Sequence, residues 1–254
     1  MLIASWNVNS IRVRLQHLLD WMQQAQPDVV CLQELKLETD NFPFDEIGEA
    51  GYEAAAYGQK SYNGVAILSR LPIEEVIEGF PGEEGQSRVI EAVIEGVHVF
   101  SVYAPNGQTV GGDKFKYKER FYGALREHLD GLGKPSEPVA LCGDFNIAPE
   151  ERDVWDVSRC SGEIGFHPDE LKWLKHFKDW GLHDSFRLIN EKPKQFSWWD
   201  FRGGGFAKDQ GLRIDQIWVS DGLKESVKNA WIDIEPRTWE RPSDHTPVLC
   251  ELEV

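Results

Sequence analysis

Residues 2–34 read LIASWNVNSIRVRLQHLLDWMQQAQPDVVCLQE, and this stretch indicates the class of the fold. Residues 2–8 are apolar and strand-like, and Asn9 or Ser10 can then cap a helix. That helix is predicted from apolar side chains at helical spacing, namely Ile11, Leu15, Leu18, Leu19 and Met22. Pro27 ends it, and a second apolar run leads to Glu34. A strand–helix–strand unit of this kind predicts an α/β protein.

The rest of the chain mixes short strands with two long amphipathic helices. Strand-like runs separated by turn residues, a meander pattern, lie at residues 64–69, 73–78, 88–95 and 97–103. Helices are predicted at 114–132 and 168–180, and further strands at 139–142, 214–219, 227–234 and 246–253. This order predicts an α/β sandwich, with paired sheets inside and helices outside, and not a doubly wound single sheet. No stretch resembles a linker, so we expect one domain over residues 1–254.

The net charge of −16 bears on the choice of partner. A uniformly acidic surface would repel the phosphates of a nucleic acid and slow its encounter with the protein. Basic residues nevertheless cluster in three places: Arg12 with Arg14, residues 114–120 and residues 202–213. A local positive track on an acidic body is therefore compatible with a nucleic-acid partner.

The apolar runs, the first residues and the cysteines indicate where in the cell the protein is found. No run approaches the roughly 18 apolar residues that a membrane span needs, and the first residues lack the basic segment of a signal peptide. The cysteines are isolated in sequence, which favours reduced core residues over a disulfide set or a zinc site. We expect a cytoplasmic monomer that does not contact membranes.

Polar groups follow the apolar runs at six places. The segments are Ser5-Trp6-Asn7-Val8-Asn9, Leu32-Gln33-Glu34, Tyr103-Ala104-Pro105-Asn106, Cys142-Gly143-Asp144-Phe145-Asn146, Arg213-Ile214-Asp215 and Ser243-Asp244-His245. Buried strands exclude carboxylates, so these groups are expected to collect on one rim of a sheet. Oxygen ligands gathered there suit a hard cation such as Mg²⁺ or Mn²⁺. A lone imidazole among them indicates acid–base chemistry, so we predict cleavage of phosphate esters.

Each motif also has a structural interpretation when taken alone. Asp144 and Asn146 can address one phosphate or water from the same side of an extended segment, but Asp-x-Asn is also a common turn. Glu34 can be a solvent-facing turn carboxylate, and Asn7 can be a helix-capping amide. His245 could be held by a hydrogen bond to Asp215, or it could be a structural histidine at a strand end.

Taken together and in this order, the six segments resemble the exonuclease III family of DNA-repair nucleases, within the endonuclease/exonuclease/phosphatase superfamily. The resemblance runs from Trp6-Asn7-Val8-Asn9-Ser10 to Pro242-Ser243-Asp244-His245, essentially the whole chain. It implies a four-layer α/β sandwich of the DNase I-like type, in which two central mixed sheets are flanked by helices and the site lies at one rim.

The resemblance also implies roles for individual residues. Glu34 would be the principal metal ligand, with the ion's shell completed or supported by Asn7, Asn9, Asp215 or Asp244. Asp144 would orient and deprotonate the attacking water, while His245, steadied by Asp215, would stabilise charge on the transition state. Contacts to the scissile phosphate would come from Tyr103, Asn106 and Asn146.

Further matches bear on the substrate. The segment Phe196-Ser197-Trp198-Trp199-Asp200 and Leu212 resemble walls of a pocket for a flipped-out abasic sugar, although Trp198 and Trp199 could equally be core residues. Lys114 and Arg213 are candidate DNA contacts. His167 stands where the family often has a smaller side chain. We therefore hypothesise that it narrows the pocket entrance, so that internal abasic sites fit poorly while 3′-terminal groups still reach the metal. The alternative is a loop histidine that only precedes the helix-starting Pro168.

The implied function is that of a Mg²⁺-dependent DNA-repair phosphodiesterase, with Mn²⁺ as an alternative ion. Its substrate would be double-stranded DNA with 3′ ends, nicks or abasic sites. It would act as a 3′–5′ exonuclease and 3′-phosphatase, and incision 5′ to abasic sites in base excision repair stays open. Two alternatives remain at this stage: a phosphatase or RNA nuclease of the same superfamily, and a non-catalytic nucleic-acid-binding regulator.

Overall fold

The computed structural model describes residues 1–80 and 85–254. Within these residues the strands are β1 (Leu2–Asn7), β2 (Val29–Gln33), β3 (Glu53–Tyr57), β4 (Val65–Ser69), β5 (Val76–Glu78), β6 (Val89–Ile94), β7 (Val97–Tyr103), β8 (Val139–Asp144), β9 (Leu182–Asp184), β10 (Trp198–Trp199), β11 (Gly211–Leu212), β12 (Asp215–Ser220), β13 (Val227–Ile232) and β14 (Val248–Leu252). The α-helices are α1 (Ile11–Ala25), α2 (Phe44–Glu49), α3 (Asp113–Leu132), α4 (Val157–Cys160), α5 (Pro168–Trp180), α6 (Ser185–Ile189) and α7 (Asp221–Lys224).

The strands form two large mixed sheets. In the described residues, the first sheet has the order β13-β14-β1-β2-β4-β3 and the second β5-β6-β7-β8-β12-β9, with β10 and β11 as a separate small pair. Each large sheet contains one parallel pair, β1 with β2 and β7 with β8. Helix α1 connects the first pair and α3 connects the second, as parallel neighbours require a crossover.

Apolar side chains form three layers that hold these elements together. Facing strands of the two sheets bury the middle layer, which includes Ile3, Ile67, Val99, Ala140 and Ile217. Trp21 of α1 packs in the layer outside the first sheet. Leu125 of α3 and Phe177 of α5 pack in the layer outside the second. Helix, sheet, sheet and helix therefore form a four-layer sandwich, and the predicted fold class is confirmed.

A small polar cluster of Gln33, Ser5 and Ser101 lies in the apolar layer between the sheets. The side-chain amide of Gln33, at the end of β2, donates to Ser101 Oγ of β7 over 3.0 Å and to Ser5 Oγ of β1 over 3.1 Å. Ser101 Oγ in turn donates to the backbone oxygen of Leu32. All three side chains are fully buried, so the hydrogen bonds offset the cost of removing these groups from water.

The long helices and most of the long strands agree with the predicted pattern, whereas strands β3, β9, β10 and β11 and the short helices α2, α4, α6 and α7 were not predicted. Helix α5 has the predicted bounds, and α3 begins one residue earlier than predicted. Strand β3 was not predicted, because its Ala54, Ala55 and Ala56 lack the β-branched side chains typical of strands. Ser10 occupies the N-cap position of α1, but its side chain makes no capping bond, so the predicted side-chain cap is wrong. Among the described residues, no helix is long and apolar enough to cross a bilayer.

Candidate active site

Strand direction explains why the predicted polar residues meet. Asn7 ends β1 and Glu34 follows β2, so the parallel pair of the first sheet brings both to one edge. Tyr103 and Asp144 end the parallel strands β7 and β8 at the matching edge of the second sheet, where they are paired in register. The antiparallel strand β12 begins at the same edge, with Asp215 opposite Asp144. His245 precedes β14, which runs antiparallel to β1 and so starts at this edge too.

Asn7 links the carboxylates of the two sheets. Its side-chain nitrogen donates to Oε1 of Glu34 and to Oδ2 of Asp144, both over 2.9 Å. Its Oδ1 accepts the backbone N–H of Asn9 over 3.0 Å, which determines the orientation of the amide. Asn7 therefore braces the two acids, and in this arrangement its oxygen does not face them as a metal ligand would.

His245 is buried between two carboxylates. Its Nδ1 lies 2.9 Å from Oδ2 of Asp215, and its Nε2 lies 3.8 Å from Oδ2 of Asp144. Burial lowers the pKa of the imidazole, but the charges of Asp215 and Asp144 outweigh it and raise the pKa of His245 to about 10. The ring is therefore an imidazolium at neutral pH, and the predicted His245–Asp215 contact is present.

The environment of Asp144 disfavours the charged form of its carboxyl group. Burial raises the pKa of Asp144 to about 7; Asp215 and Glu34 also raise it, while His245 and the amide of Asn7 oppose the rise. A carboxyl group with a pKa near neutrality accepts a proton more readily than an ordinary aspartate. The pair Asp144 and His245 thus combines a buried base with a buried cation.

Asn9 and Asp244 form a second polar group beside the first. The side-chain nitrogen of Asn9 donates to Oδ1 of Asp244 over 2.8 Å, and its oxygen accepts from Lys36. Oδ2 of Asp244 accepts the indole N–H of Trp198 over 3.0 Å. Lys36 also pairs with Oε2 of Glu34 at 2.7 Å. Asn9 and Asp244 thus hold each other in place beside Glu34, and Asp244 borders the same cavity.

The phosphate-contact candidates lie on the second sheet's side. The side-chain nitrogen of Asn106 donates to Oδ1 of Asn146 over 3.0 Å, and the side-chain nitrogen of Asn146 donates to the backbone of Ala104 over 2.9 Å. Tyr103 hydrogen-bonds Glu34, and its pKa lies well above the usual value because the ring is buried near Glu34 and Asp144. Its phenol therefore stays protonated and can donate.

The acidic centre fits a hard divalent cation. Ligand atoms of Glu34, Asp144 and His245 lie within 4.8 Å of one another. An imidazolium has no free lone pair, so His245 does not serve as a ligand in its protonated form. The remaining donors are carboxylate oxygens, which Mg²⁺ and Mn²⁺ prefer.

A cavity of about 400 Å³ lies at this edge of the two sheets. Its lining residues are Glu34, Tyr103, Asn106, Asp144, Asn146, Ile164, Gly165, Trp198, Leu212, Ile214, Asp244 and His245. Trp198 and Leu212 are opposite each other in the β10–β11 pair and form an apolar wall. Trp199, by contrast, is only 2% exposed and belongs to the core. A cavity with one apolar wall and one acidic wall can hold a sugar against a reacting phosphate.

The structure corrects or limits three further predictions. Arg213 is 1% exposed and pairs with Asp153 at 2.7 Å and with Asp184, so the predicted DNA contact is wrong. Lys114 is exposed at the start of α3 but does not border the cavity. His167 does not border it either; its Nδ1 accepts the backbone N–H of Asp169 and caps α5.

Several supporting residues were not assigned roles from the sequence. Arg14 donates to the backbone oxygens of Asn9 and Pro242, and so holds the loops that carry Asn9 and Asp244. Ser197 Oγ accepts the backbone N–H groups of Ile214 and Asp215, both over 3.0 Å. Such contacts join residues far apart in sequence, so no local pattern indicates them.

Lys118 and Glu170, both fully buried, form an ion pair behind the loops of Asn106 and Asn146. The sequence places Lys118 in the basic stretch 114–120, but its side chain is buried, so the expectation of a surface cation is wrong. A sequence signal did exist: Lys118 falls on the apolar stripe of α3, with Phe115, Tyr122, Leu125 and Leu129 at helical spacing.

Comparison with known proteins agrees with this geometry. The model of the Endonuclease/Exonuclease/phosphatase family matches residues 4–245, and the chain belongs to that family. It is 36% identical to exodeoxyribonuclease III of Haemophilus influenzae over 266 aligned positions, covering 99% of this chain and all of the relative.

Two solved structures are close in fold. A 3′ phosphatase from Neisseria, NExo, bound to a product DNA hairpin, superposes with a TM-score of 0.97 at 40% identity, and the match covers all of both chains. An AP endonuclease from Archaeoglobus fulgidus superposes with a TM-score of 0.96 at 33% identity, again over all of both chains. The predicted membership of the exonuclease III family, and the prediction of an enzyme of that type, are confirmed.

Proposed function

We propose that this chain is a Mg²⁺-dependent DNA-repair phosphodiesterase that acts at the 3′ ends of duplex DNA. One observation carries the proposal: Asp144, His245 with Asp215, and Glu34 meet at a single cavity where the two sheets end. A regulator that only binds nucleic acid would not need a buried base, a buried imidazolium and a cation site together. The names of the relatives, which include a 3′ phosphatase and exodeoxyribonuclease III, support the choice of DNA.

The proposed activities share one chemical event. Release of a 3′-phosphate, removal of a 3′-nucleotide and incision 5′ to an abasic site all break a bond between phosphorus and a 3′-oxygen, and all leave a 3′-hydroxyl. Asp144 accepts the proton of the attacking water, and the imidazolium of His245 stabilises negative charge on the phosphoryl oxygens. Asn106, Asn146 and Tyr103 offer donors that orient the phosphate.

Glu34, with Asp144 near it, would hold the ion. When bound, a divalent ion supplies positive charge to the phosphoryl oxygens and to the departing 3′-oxygen. Trp198 and Leu212 provide an apolar surface for the terminal sugar. We propose 3′-end processing as the principal reaction. His167 does not border the cavity, so its proposed limit on internal abasic sites would act through the neighbouring loop of Gly165.

End-labelled duplexes test the proposal. One carries a recessed 3′ end, one a 3′-phosphate at a nick, and one an internal abasic site with protected ends; each is incubated with Mg²⁺ or with EDTA. We expect Mg²⁺-dependent shortening of the first and phosphate release from the second, both lost in Asp144→Asn. Wild-type protein that leaves all three intact would refute the function.

A further inference from the structure

The buried ion pair of Lys118 and Glu170 lies directly behind the phosphate-contact candidates. Both side chains are 0% exposed. The ammonium of Lys118 donates to the backbone oxygen of Asn146 over 2.8 Å, to that of Asn106 over 3.2 Å, and to Oε1 of Glu170. An ammonium has three protons, so these partners use all of its donors.

The other oxygen of Glu170 extends the connection to the cavity wall. Oε2 of Glu170 accepts the backbone N–H of Gly165 over 2.8 Å and that of His167 over 3.0 Å. Gly165 borders the cavity beside Leu212. One ion pair therefore ties together three loops: the loop of Asn106, the loop of Asn146 and the loop that enters α5.

Other hydrogen bonds also hold these loops, among them Asn146 N–H to Oδ1 of Asp144 over 2.9 Å and Ala148 N–H to the backbone oxygen of Gly165 over 2.7 Å. Lys118 adds the contacts to the backbone oxygens of Asn106 and Asn146. The oxygens of Asn106 and Asn146 that Lys118 binds belong to loop residues outside any strand or α-helix. Asn146 also has a φ of 53°, in the left-handed region that side chains other than glycine seldom adopt. Such a backbone persists when surrounding contacts determine it, and Lys118 supplies one of them.

An apolar pair would be a simpler way to fill this space. Burying two charges is costly, and replacing a buried ion pair by apolar residues of similar volume is often neutral or stabilising. What an apolar pair cannot do is bind two backbone oxygens and two backbone N–H groups at defined positions. The contacts of Lys118 and Glu170 are of that directional kind.

We propose that Lys118 and Glu170 are positioning residues that hold the side-chain amides of Asn106 and Asn146 at the scissile phosphate. This rests on the proposed function, since it assumes that the two amides contact a phosphate. Neither Lys118 nor Glu170 touches the substrate; they act through the backbone of the residues that do.

The test uses Lys118→Met, which keeps the length of the side chain but removes its donors. We expect kcat on a nicked duplex with a 3′-phosphate to fall about 10- to 100-fold, because displacement of a contact by about 1 Å can cost that much. KM is expected to change less than about 3-fold if the contact strengthens in the transition state. Lys175→Met, on the exposed face of α5, is the matched control and should match wild type.

A double-mutant cycle separates positioning from general weakening of the structure. Asn146→Ala should lower kcat in wild type, yet lower it much less in Lys118→Met, where the amide is already displaced. Leu129→Ala, a buried change on the same helix, weakens packing without touching these loops, and its effect should add to that of Asn146→Ala. Additive effects for Lys118→Met would overturn the proposal.

Folding is checked by near-UV circular dichroism and thermal unfolding. If Lys118→Met fails to fold, Lys118→Met/Glu170→Gln removes both charges and enters the same cycle. If neither folds, the pair is a requirement of the fold and the proposal is wrong. Inactive wild-type protein would instead refute the proposed function, so the two failures are distinguishable.

Discussion

The imidazole of His245 is held by one carboxylate, that of Asp215, while its other nitrogen faces a second. Nδ1 lies 2.9 Å from Oδ2 and 3.1 Å from Oδ1 of Asp215, and Nε2 lies 3.8 Å from Oδ2 of Asp144. At 3.8 Å the second contact is electrostatic and not a hydrogen bond, and the charges of both carboxylates favour the protonated ring. The imidazolium of His245 thus lies next to the buried carboxylate of Asp144, at the position where a phosphate would react.

Replacing Asp215 by Asn tests that positive charge. The charge of Asp215 raises the pKa of His245, so its loss should lower that pKa and let the ring deprotonate at lower pH. We expect kcat to fall by about 10² or more at neutral pH. In the pH profile of kcat, the alkaline limb should move to lower pH. An unchanged alkaline limb would show that His245 does not act as an imidazolium.

Glu34→Gln should weaken the cation site without removing the base. We expect the Mg²⁺ concentration for half-maximal rate to rise about 10-fold or more, because a neutral amide oxygen binds a hard cation less well than a carboxylate. Excess Mg²⁺ should restore part of the rate. Asp144→Asn is the comparison, with a loss of about 10² to 10⁴ that Mg²⁺ does not restore. Identical Mg²⁺ curves for wild type and Glu34→Gln would contradict the assignment.

Two variants of His167 separate its capping role from its effect on access. His167→Asn can still cap α5 but has a smaller side chain, whereas His167→Gly lacks both the cap and the ring. The ring of His167 packs against Phe115 and does not border the cavity. Gly165, two residues earlier, does border it, and the backbone N–H groups of both residues donate to Oε2 of Glu170, so a change at His167 can shift this wall. We expect both variants to increase incision at internal abasic sites relative to 3′-phosphate release. No change in that ratio would reject the narrowing hypothesis.

DNA binding by this acidic chain should depend steeply on salt. With a net charge of −16, attraction must come from a few local cations, and each phosphate contact adds about 0.9 to the slope of log Kd against log salt. Lys114→Ala should reduce that slope by about 1 in EDTA. Lys228→Ala, on β13 and paired with Glu253, is the control and should leave it unchanged. Equal slopes for all three proteins would exclude Lys114 as a contact.

Arg213 should matter for stability and not for DNA affinity. Arg213→Met leaves the buried carboxylates of Asp153 and Asp184 without this partner, which costs about 3–5 kcal/mol when a buried pair is broken. Urea unfolding measures the loss. The folded protein should bind DNA as tightly as wild type, because the guanidinium of Arg213 is 1% exposed and pairs inside the protein. Weaker binding at unchanged stability would restore the predicted DNA contact.

The sequence permits much of this site to be predicted, because the rule that governs it is local. Carboxylates are disfavoured inside buried strands, which predicts Glu34, Asp144 and Asp215 at strand ends, and strand direction then brings them together. Glu91, buried in β6 and paired with His98 and His128, is an exception to this rule. The contact of His245 with Asp215 was predicted on the same basis, whereas β3 escaped because alanine has little preference for strands.

Charged residues that pair inside the protein follow no such local rule. The sequence predicts Arg213 as a DNA contact and places Lys118 in the basic stretch 114–120, because lysine and arginine side chains are usually exposed. Their partners lie far away in sequence: Asp153 is 60 residues from Arg213, and Glu170 is 52 residues from Lys118. Only the folded arrangement of the chain shows that each charge is neutralised inside.

The amide of Gln33 has a consequence for the precision of the whole site. Apolar faces tolerate small sliding, since a contact between methyl groups has little preferred direction, but the hydrogen bond from Gln33 to Ser101 on the facing sheet does not. Glu34 comes next in the chain, on one sheet, and the base it must face is on the other. The distance between Glu34 and Asp144 therefore depends on the hydrogen bond between Gln33 and Ser101, which lies in the interior where no substrate reaches.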